Sequence, residues 1–271
     1  MNLARDTQIV PSQRLIFDIP VCDFGWADAF TFADELASMP FGQTVISFLN
    51  ANNANLALKD RDYHDILCRH IVLPDGHGVD IASRVMHGRV FPANLNGTDF
   101  VPALMTYMTT PRRIAMVGAR RDVLERAAAN FTKHAPWHTF IPVSDGYFDL
   151  SESDAVMEKV RAAKPDILLV AMGSPKQEKW IDRHVGPGHA RLIIGVGALF
   201  DFVADEMPRA SEGVRQLRLE WLHRLVHEPQ RLWRRYIIGN PLFLWRVLRH
   251  KLTAGSAHAP RRPRRIGQRL L

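Results

Sequence analysis

Short apolar runs alternate along this chain with longer stretches whose apolar residues recur at helical spacing. Residues 14–20 (RLIFDIP) predict a first short strand or hairpin, and Trp26 to Met39 a helix that Pro40 ends. TVISFLN (44–50) predicts a buried strand and Ala54 to Arg69 a helix. The apolar run HIVLPDG (70–76) stops at Pro-Asp-Gly, and Val79 to His87 predicts a helix. RRIAMVGAR (112–120) predicts a strand breaking at Gly118, with a helix from Asp122 to His134. HTFIPV (138–143) and PDILLVAMG (165–173) predict strands separated by a helix from Ser153 to Ala163. A short helix over Gln177 to His184 then leads to ARLIIGVG (190–197), the last clear strand. Such alternation implies an α/β, Rossmann-like fold: a mostly parallel sheet with helices on both faces. After Pro208 only helical, basic sequence remains, which divides the chain into a body (1–208) and a C-terminal appendage (209–271).

Charge sharpens that division. Residues 209–271 carry 15 Lys and Arg against 3 acids, a net of +12, and residues 1–208 carry 20 against 25, a net of −5. A mildly acidic body argues against a nucleic-acid-binding domain. A basic segment rich in Trp, Leu, Ile and Phe argues for an anionic lipid surface or for diphosphates, the bland alternative being a solvated tail. Cys22 and Cys68 make neither a disulfide framework nor a zinc site. The start has no apolar core of signal-peptide length, and no stretch reaches the roughly 18 apolar residues of a spanning helix. The expectation is a cytoplasmic chain that does not cross a membrane. Apolar surface on the body would allow a homo-oligomer.

The candidate chemistry clusters at predicted strand ends, where open α/β sheets bind ligands. Asp75 follows a buried strand and precedes two glycines. It could act as general base for a hydroxyl or simply make an Asp-Gly turn or helix cap. VGAR (117–120) resembles a phosphate-binding turn without being GxGxxG or a Walker sequence. Tyr147 in SDGYF could stack on a base or be a half-buried turn residue. In MGSPKQEKW, Lys176, Gln177 and Glu178 put donors and acceptors at a helix mouth, unless they only cap a surface helix. Asp201 sits between two phenylalanines, a costly place for a carboxylate unless it is paired. Arg224, Arg231, Arg234 and Arg235 recur at helix-compatible intervals, and guanidinium forks match phosphate oxygens. Trp221, Leu225 and Trp233 could form a helix face that docks on the body or on lipid. No close acidic pair suggests a metal site.

The motifs DGHGVDIASR, GYF, PDILLVAMGSPKQEKW, GVGALFDF, PRA and LEWLHRLVHEPQRLWRRY occur in that order. Together, over roughly residues 14–248, they resemble the WecG/TagA/CpsF glycosyltransferase family of bacteria. The resemblance implies inverting transfer, without metal or other cofactor, from a UDP-sugar donor to a sugar on a polyprenyl diphosphate. It also implies a small flanking subdomain beside the Rossmann-like sheet. The basic appendage would close the site against the inner face of the plasma membrane, where the protein would be peripheral. By position, Asp75 matches the family's base and Asn50 the Asn of a loop near acceptor and base. Tyr147, Gln177 and Asp201, with neighbouring Glu178, match the UDP pocket, and Arg224, Arg231 and Arg234 match arginines that engage diphosphate. The chain departs from the family in reading PANLNGTDF, with Asn94 near an expected arginine, and Phe48-Leu49-Asn50 where many members have Thr-x-Asn. These departures resemble the exopolysaccharide branch, which implies β-1,4 transfer of glucose. Transfer of N-acetylmannosamine or its uronic acid is the alternative, as is a non-catalytic module that binds UDP-sugar or lipid diphosphate.

Overall fold

The computed structural model describes residues 12–206, 222, 225–226 and 229–254. Eight strands form one sheet in the order β1-β2-β4-β3-β8-β7-β5-β6. They are β1 (Gln13–Ile16), β2 (Ile19–Cys22), β3 (Thr44–Leu49), β4 (Ile71–Pro74), β5 (Arg113–Gly118), β6 (Thr139–Ser144), β7 (Ile167–Ala171) and β8 (Leu192–Gly195). The β1–β2 hairpin is antiparallel and every other pairing is parallel. The expected α/β, Rossmann-like sheet is therefore the fold.

Alternate residues along each strand feed different cores. Ile114 and Met116 of β5 and Leu192 and Ile194 of β8 face one side. There they meet α1 (Trp26–Ser38), α5 (Gly97–Tyr107), α6 (Arg121–His134) and α9 (Leu199–Val203). On the other side, Ala115, Val117 and Ile193 meet α7 (Ser153–Ala163) and α8 (Lys176–His184). Beside these, Leu49 and Val72 meet α2 (Ala51–Ala57), α3 (Arg61–Leu67) and α4 (His77–His87). Helices α6 and α8, which follow neighbouring strands β5 and β7, thus leave on opposite faces, as do α9 and α2 after neighbouring β8 and β3. Each divergence opens a crevice at the carboxyl end of the sheet.

Three elements differ from the expected ones. The helix foreseen over 54–69 is two helices, because the Asp60 carboxylate accepts from Tyr63 N (3.1 Å) and starts α3 afresh. Helix α5 was not foreseen: its start reads as a turn (Asn96-Gly97-Thr98) and Pro102 reads as a breaker. Complete burial of Phe100, Val101, Leu104 and Met105 offsets the donor that Pro102 lacks. The short helix α9 lies where no helix was expected. Past the body lie α10 (Pro229–Trp233), one π-helical turn (Arg234–Ile238) and α11 (Gly239–Ala254).

At the crevice itself, the ends of β5 and β7 approach closely. Gly118 stands opposite Ala171 at φ +132, and a Cβ there would lie 2.3 Å from the Ala171 carbonyl oxygen. Only glycine fits.

Candidate active site at the carboxyl ends of the strands

Asn50, directly after β3, has two tasks. Its Oδ1 caps α2 by accepting from Asn53 N (3.0 Å), which leaves Nδ2 to donate to Asp75 Oδ2 (3.0 Å). Asp75 follows β4, and its own N–H donates to Leu49 O (2.9 Å). Register does the rest: Leu49 pairs with Pro74, so the residues that follow them meet. Gly76 turns at φ +90 into α4, and its N–H donates to Asn94 Oδ1 (2.8 Å). Asp75, Asn50 and Asn94, far apart in sequence, thus lie together. The carboxylate is partly exposed and held by one amide, an arrangement able to accept a proton from a hydroxyl.

On the other side of the sheet's carboxyl edge, Ala119 N donates to Ala171 O (3.0 Å) and Gly146 N to Ala119 O (2.8 Å). These bonds bring the ends of β5, β6 and β7 into one cleft. Tyr147 stands at its rim, 77% exposed rather than half-buried, available for stacking. Lys176 Nζ reaches Gly146 O (3.1 Å) and ties the start of α8 to that turn. Gln177 lies under the cleft, where its Oε1 accepts from Gly197 N (3.0 Å). Glu178 turns inward, only 1% exposed. Burial pushes its carboxyl above the usual carboxylate range, against the opposing pull of bonds from Ser174 and Gln177. Asp201 is partly buried in α9. The Arg120 guanidinium of the VGAR turn lies against Glu206 Oε1 (2.8 Å).

Arg224 lies outside the described residues. Arg231 belongs to α10, and Arg234 is exposed with its guanidinium 5.3 Å over the Trp233 ring. Of the face suggested by Trp221, Leu225 and Trp233 for the body or for lipid, Trp221 lies outside the described residues and Trp233 is 43% exposed; the side chains buried here are Leu232, Phe243 and Val247. Phe243 is wedged where a Cβ on Gly78 would touch both its ring (3.7 Å) and Ala51 Cβ (3.0 Å). Asn55 Nδ2 donates to Gly239 O (2.8 Å), and Arg246 donates to Asn55 Oδ1 (2.7 Å). Helix α11 therefore braces α2 at Ala51 and Asn55, one and five residues from Asn50, and α4 at Gly78, three residues from Asp75.

Sequence reasoning passed over Asn53, Ser174 and Phe243. The i, i+4 spacing of Phe243 and Val247 was the available signal for the last; for Asn53 and Ser174 no local pattern marks a side chain that bonds across the sheet. Among the described residues, no cluster of three His, Cys, Asp or Glu is placed to hold a metal ion. No described helix is long and apolar enough to cross a membrane.

The glycosyl transferase WecG/TagA/CpsF family model matches residues 14–257. The chain is 34% identical over 211 residues to the N-acetylglucosaminyldiphosphoundecaprenol N-acetyl-beta-D-mannosaminyltransferase of Bacillus subtilis (strain 168), covering 76% of this chain and 80% of that one. A protein of the same name from Bacillus spizizenii (strain ATCC 23059 / NRRL B-14472 / W23) is 27% identical over 243 residues, 87% of this chain and 92% of that one. Another of that name from Staphylococcus aureus (strain MW2) is 31% identical over 140 residues, 52% and 54% of the two chains.

Proposed function

The chain belongs to the WecG/TagA/CpsF family of glycosyltransferases, and from that premise we propose that it transfers N-acetylmannosamine from its UDP donor to an N-acetylglucosaminyl diphospholipid. The names of the relatives favour this sugar over the glucose that the exopolysaccharide-like departures suggest. The observation that carries the reading is the Asp75–Asn50 pair, set by strand register at the mouth of the sheet and beside the cleft of Tyr147, Gln177 and Asp201.

In this reading the acceptor hydroxyl gives its proton to the Asp75 carboxylate. Its oxygen bonds to the anomeric carbon as the bond from that carbon to the diphosphate oxygen breaks, with inversion. UDP departs with the electron pair. Asn50 aims the carboxylate, and Asn94 and the Gly76 turn shape the acceptor side. Tyr147 stacks on the uracil, while Gln177 and Asp201 bound the nucleotide pocket; Glu178, which matched that pocket by sequence, lies behind it in the interior. Arg224, Arg231 and Arg234, with helix N-terminal amides, offset the leaving charge in place of a metal ion.

The lipid acceptor stays in the bilayer, so the enzyme goes to it. On α11 the face opposite Phe243 and Val247 presents Trp245, Leu248 and Leu252, with Arg249 over the Trp245 ring. Ile237, Ile238 and Trp233 extend that exposed apolar surface. Such a face lies in a membrane interface, and each basic residue near an anionic surface adds about 1 kcal/mol. The reading is a peripheral enzyme on the cytoplasmic leaflet, its body ending near residue 208.

The test is UDP release from UDP-N-acetylmannosamine, UDP-glucose and UDP-glucuronic acid, with N-acetylglucosaminyl and glucosyl diphospholipids as acceptors and EDTA throughout. Release only with the mannosamine donor and the N-acetylglucosaminyl acceptor is expected. Release only from UDP-glucose would restore the exopolysaccharide reading. Silence with UDP still bound would leave a binding module.

A further inference from the structure

Glu178 matched the nucleotide pocket by sequence, yet its side chain points into the protein. Its Oε1 accepts from Ser174 Oγ (2.7 Å) and from Gln177 Nε2 (2.9 Å). Its Oε2 is buried with no hydrogen-bond partner among the described residues. Among the described residues no cation is paired with it, and the adjacent Lys179 is taken by Asp60 (2.6 Å). An ionised carboxylate so placed is costly, and a neutral carboxyl group suits the site.

The two donors that Glu178 gathers each lead elsewhere. Because Gln177 spends its Nε2 on Glu178, its Oε1 faces Gly197 N (3.0 Å) and fixes the turn between β8 and α9. A Cβ on Gly195 would lie 2.9 Å from Gln177 Nε2, so the amide is closely enclosed. Because Ser174 donates its proton to Glu178, its oxygen lone pairs are free for Asn53 Nδ2 (3.4 Å), which also bonds Phe48 O (2.9 Å). Asn53 N is the group capped by Asn50, which holds Asp75. Donors and acceptors agree along the whole path, from Gly197 through Gln177, Glu178, Ser174, Asn53 and Asn50 to Asp75. The path crosses the ends of β8, β7, β3 and β4, strands that are contiguous in the sheet.

We propose that Glu178 is a positioning residue, an uncharged carboxyl group whose Oε1 locks Gln177 and Ser174 and so fixes the nucleotide side of the cleft relative to the Asn50–Asp75 pair. It does not touch substrate. The assignment rests on the glycosyltransferase reading for its catalytic consequence, but not for its structural one.

The test compares Glu178→Gln with Glu178→Ala in the full chain, using three readouts. A Gln keeps the Oε1 acceptor and sets an uncharged group where Oε2 lies; an Ala removes both. Without any ligand, amide hydrogen exchange at Gly197 rises in Glu178→Ala and stays as in the parent protein in Glu178→Gln. UDP affinity, read by titration, falls in the Ala variant and is kept in the Gln variant. Where the parent protein turns over, kcat/KM falls by about 100-fold in the Ala variant, most of it in the donor KM, and by less than about threefold in the Gln variant, as expected for small misplacements of a reacting pair. Equal damage in both variants would overturn the proposal, because the charge would then be what matters. Unchanged Gly197 exchange and UDP affinity in the Ala variant would overturn it too. Should Glu178→Ala not fold, Ser174→Ala removes one of the two donors, and normal exchange and affinity there would overturn it equally. A parent protein that turns over no donor fails the glycosyltransferase reading, and exchange at Gly197 still decides the role of Glu178.

Discussion

Asn50 donates its side-chain amide to Asp75 Oδ2 across 3.0 Å while its carbonyl oxygen caps the helix that begins one residue later. One side chain thus fixes both a helix start and the orientation of the carboxylate. The two tasks can be separated. Asn50→Ala loses the cap, about 1 kcal/mol of stability, together with the rate. Asn50→Asp keeps an acceptor for Asn53 N but sets a like charge against Asp75, so it holds its stability and loses at least about tenfold in rate. Urea midpoints beside initial rates read the two effects.

Asp75→Asn keeps the shape and removes the proton acceptor. The expected outcome is an intact fold, UDP affinity like that of the parent protein, and turnover lower by a factor of about 100 or more. Normal transfer by this variant would remove Asp75 as the base.

Gly118→Ala forces a Cβ to within 2.3 Å of the Ala171 carbonyl oxygen at φ +132. Strain and displacement of β7 together are expected to cost about 2–5 kcal/mol. A urea midpoint close to that of the parent protein would mean that the two strand ends separate easily.

Helix α11 has two faces with different consequences. Phe243→Ala empties a fully buried ring site and should cost about 3–5 kcal/mol of docking, raising hydrogen exchange over residues 239–254. Trp245→Ser with Leu248→Ser should leave that exchange as it was. The pair should instead weaken co-sedimentation with anionic vesicles, and salt should weaken what remains. Vesicle binding that survives both substitutions would move the membrane contact elsewhere.

Burial drives His70 down to about 4, with its Nδ1 beside the Ser47 hydroxyl (2.9 Å). The folded protein therefore holds His70 neutral where the unfolded chain, titrating near 6.5, takes up a proton. Its contribution to stability is complete above about pH 6.5 and is lost as pH falls from there to about 4. His138 and His189, also shifted down by burial, add to the same trend. Urea midpoints at pH 7 and pH 5 for the parent protein and His70→Gln check this: the variant should show the smaller drop.

Much of the site is legible in the sequence. Asn50, Asp75, Gln177 and Asp201 each follow an apolar run that ends in turn residues. A strand end is a local property, written in the period of apolar residues and in the Gly, Pro and Asp that stop it. That Asn50 and Asp75 would touch was not local, since it depends on Leu49 pairing with Pro74 across two parallel strands.

The run Lys176-Gln177-Glu178-Lys179 marks the limit most clearly. Four consecutive polar residues announce a helix mouth but not its rotation against the sheet. That rotation exposes Lys176, slides Gln177 under Gly197 and turns Glu178 into the interior. Tertiary packing likewise supplied α5, where burial of four apolar side chains outweighs an interior proline. It chose Phe243 rather than Trp233 as the anchor of the basic segment, because the cavity beside Gly78 and Ala51 exists only once α2 and α4 are packed. The sequence by itself determined the alternating α/β order, the charge asymmetry and the residues at the strand ends, since these depend on neighbours along the chain. Which of those residues meet, and which turn inward, depends on neighbours across the sheet, and only the folded structure decides them.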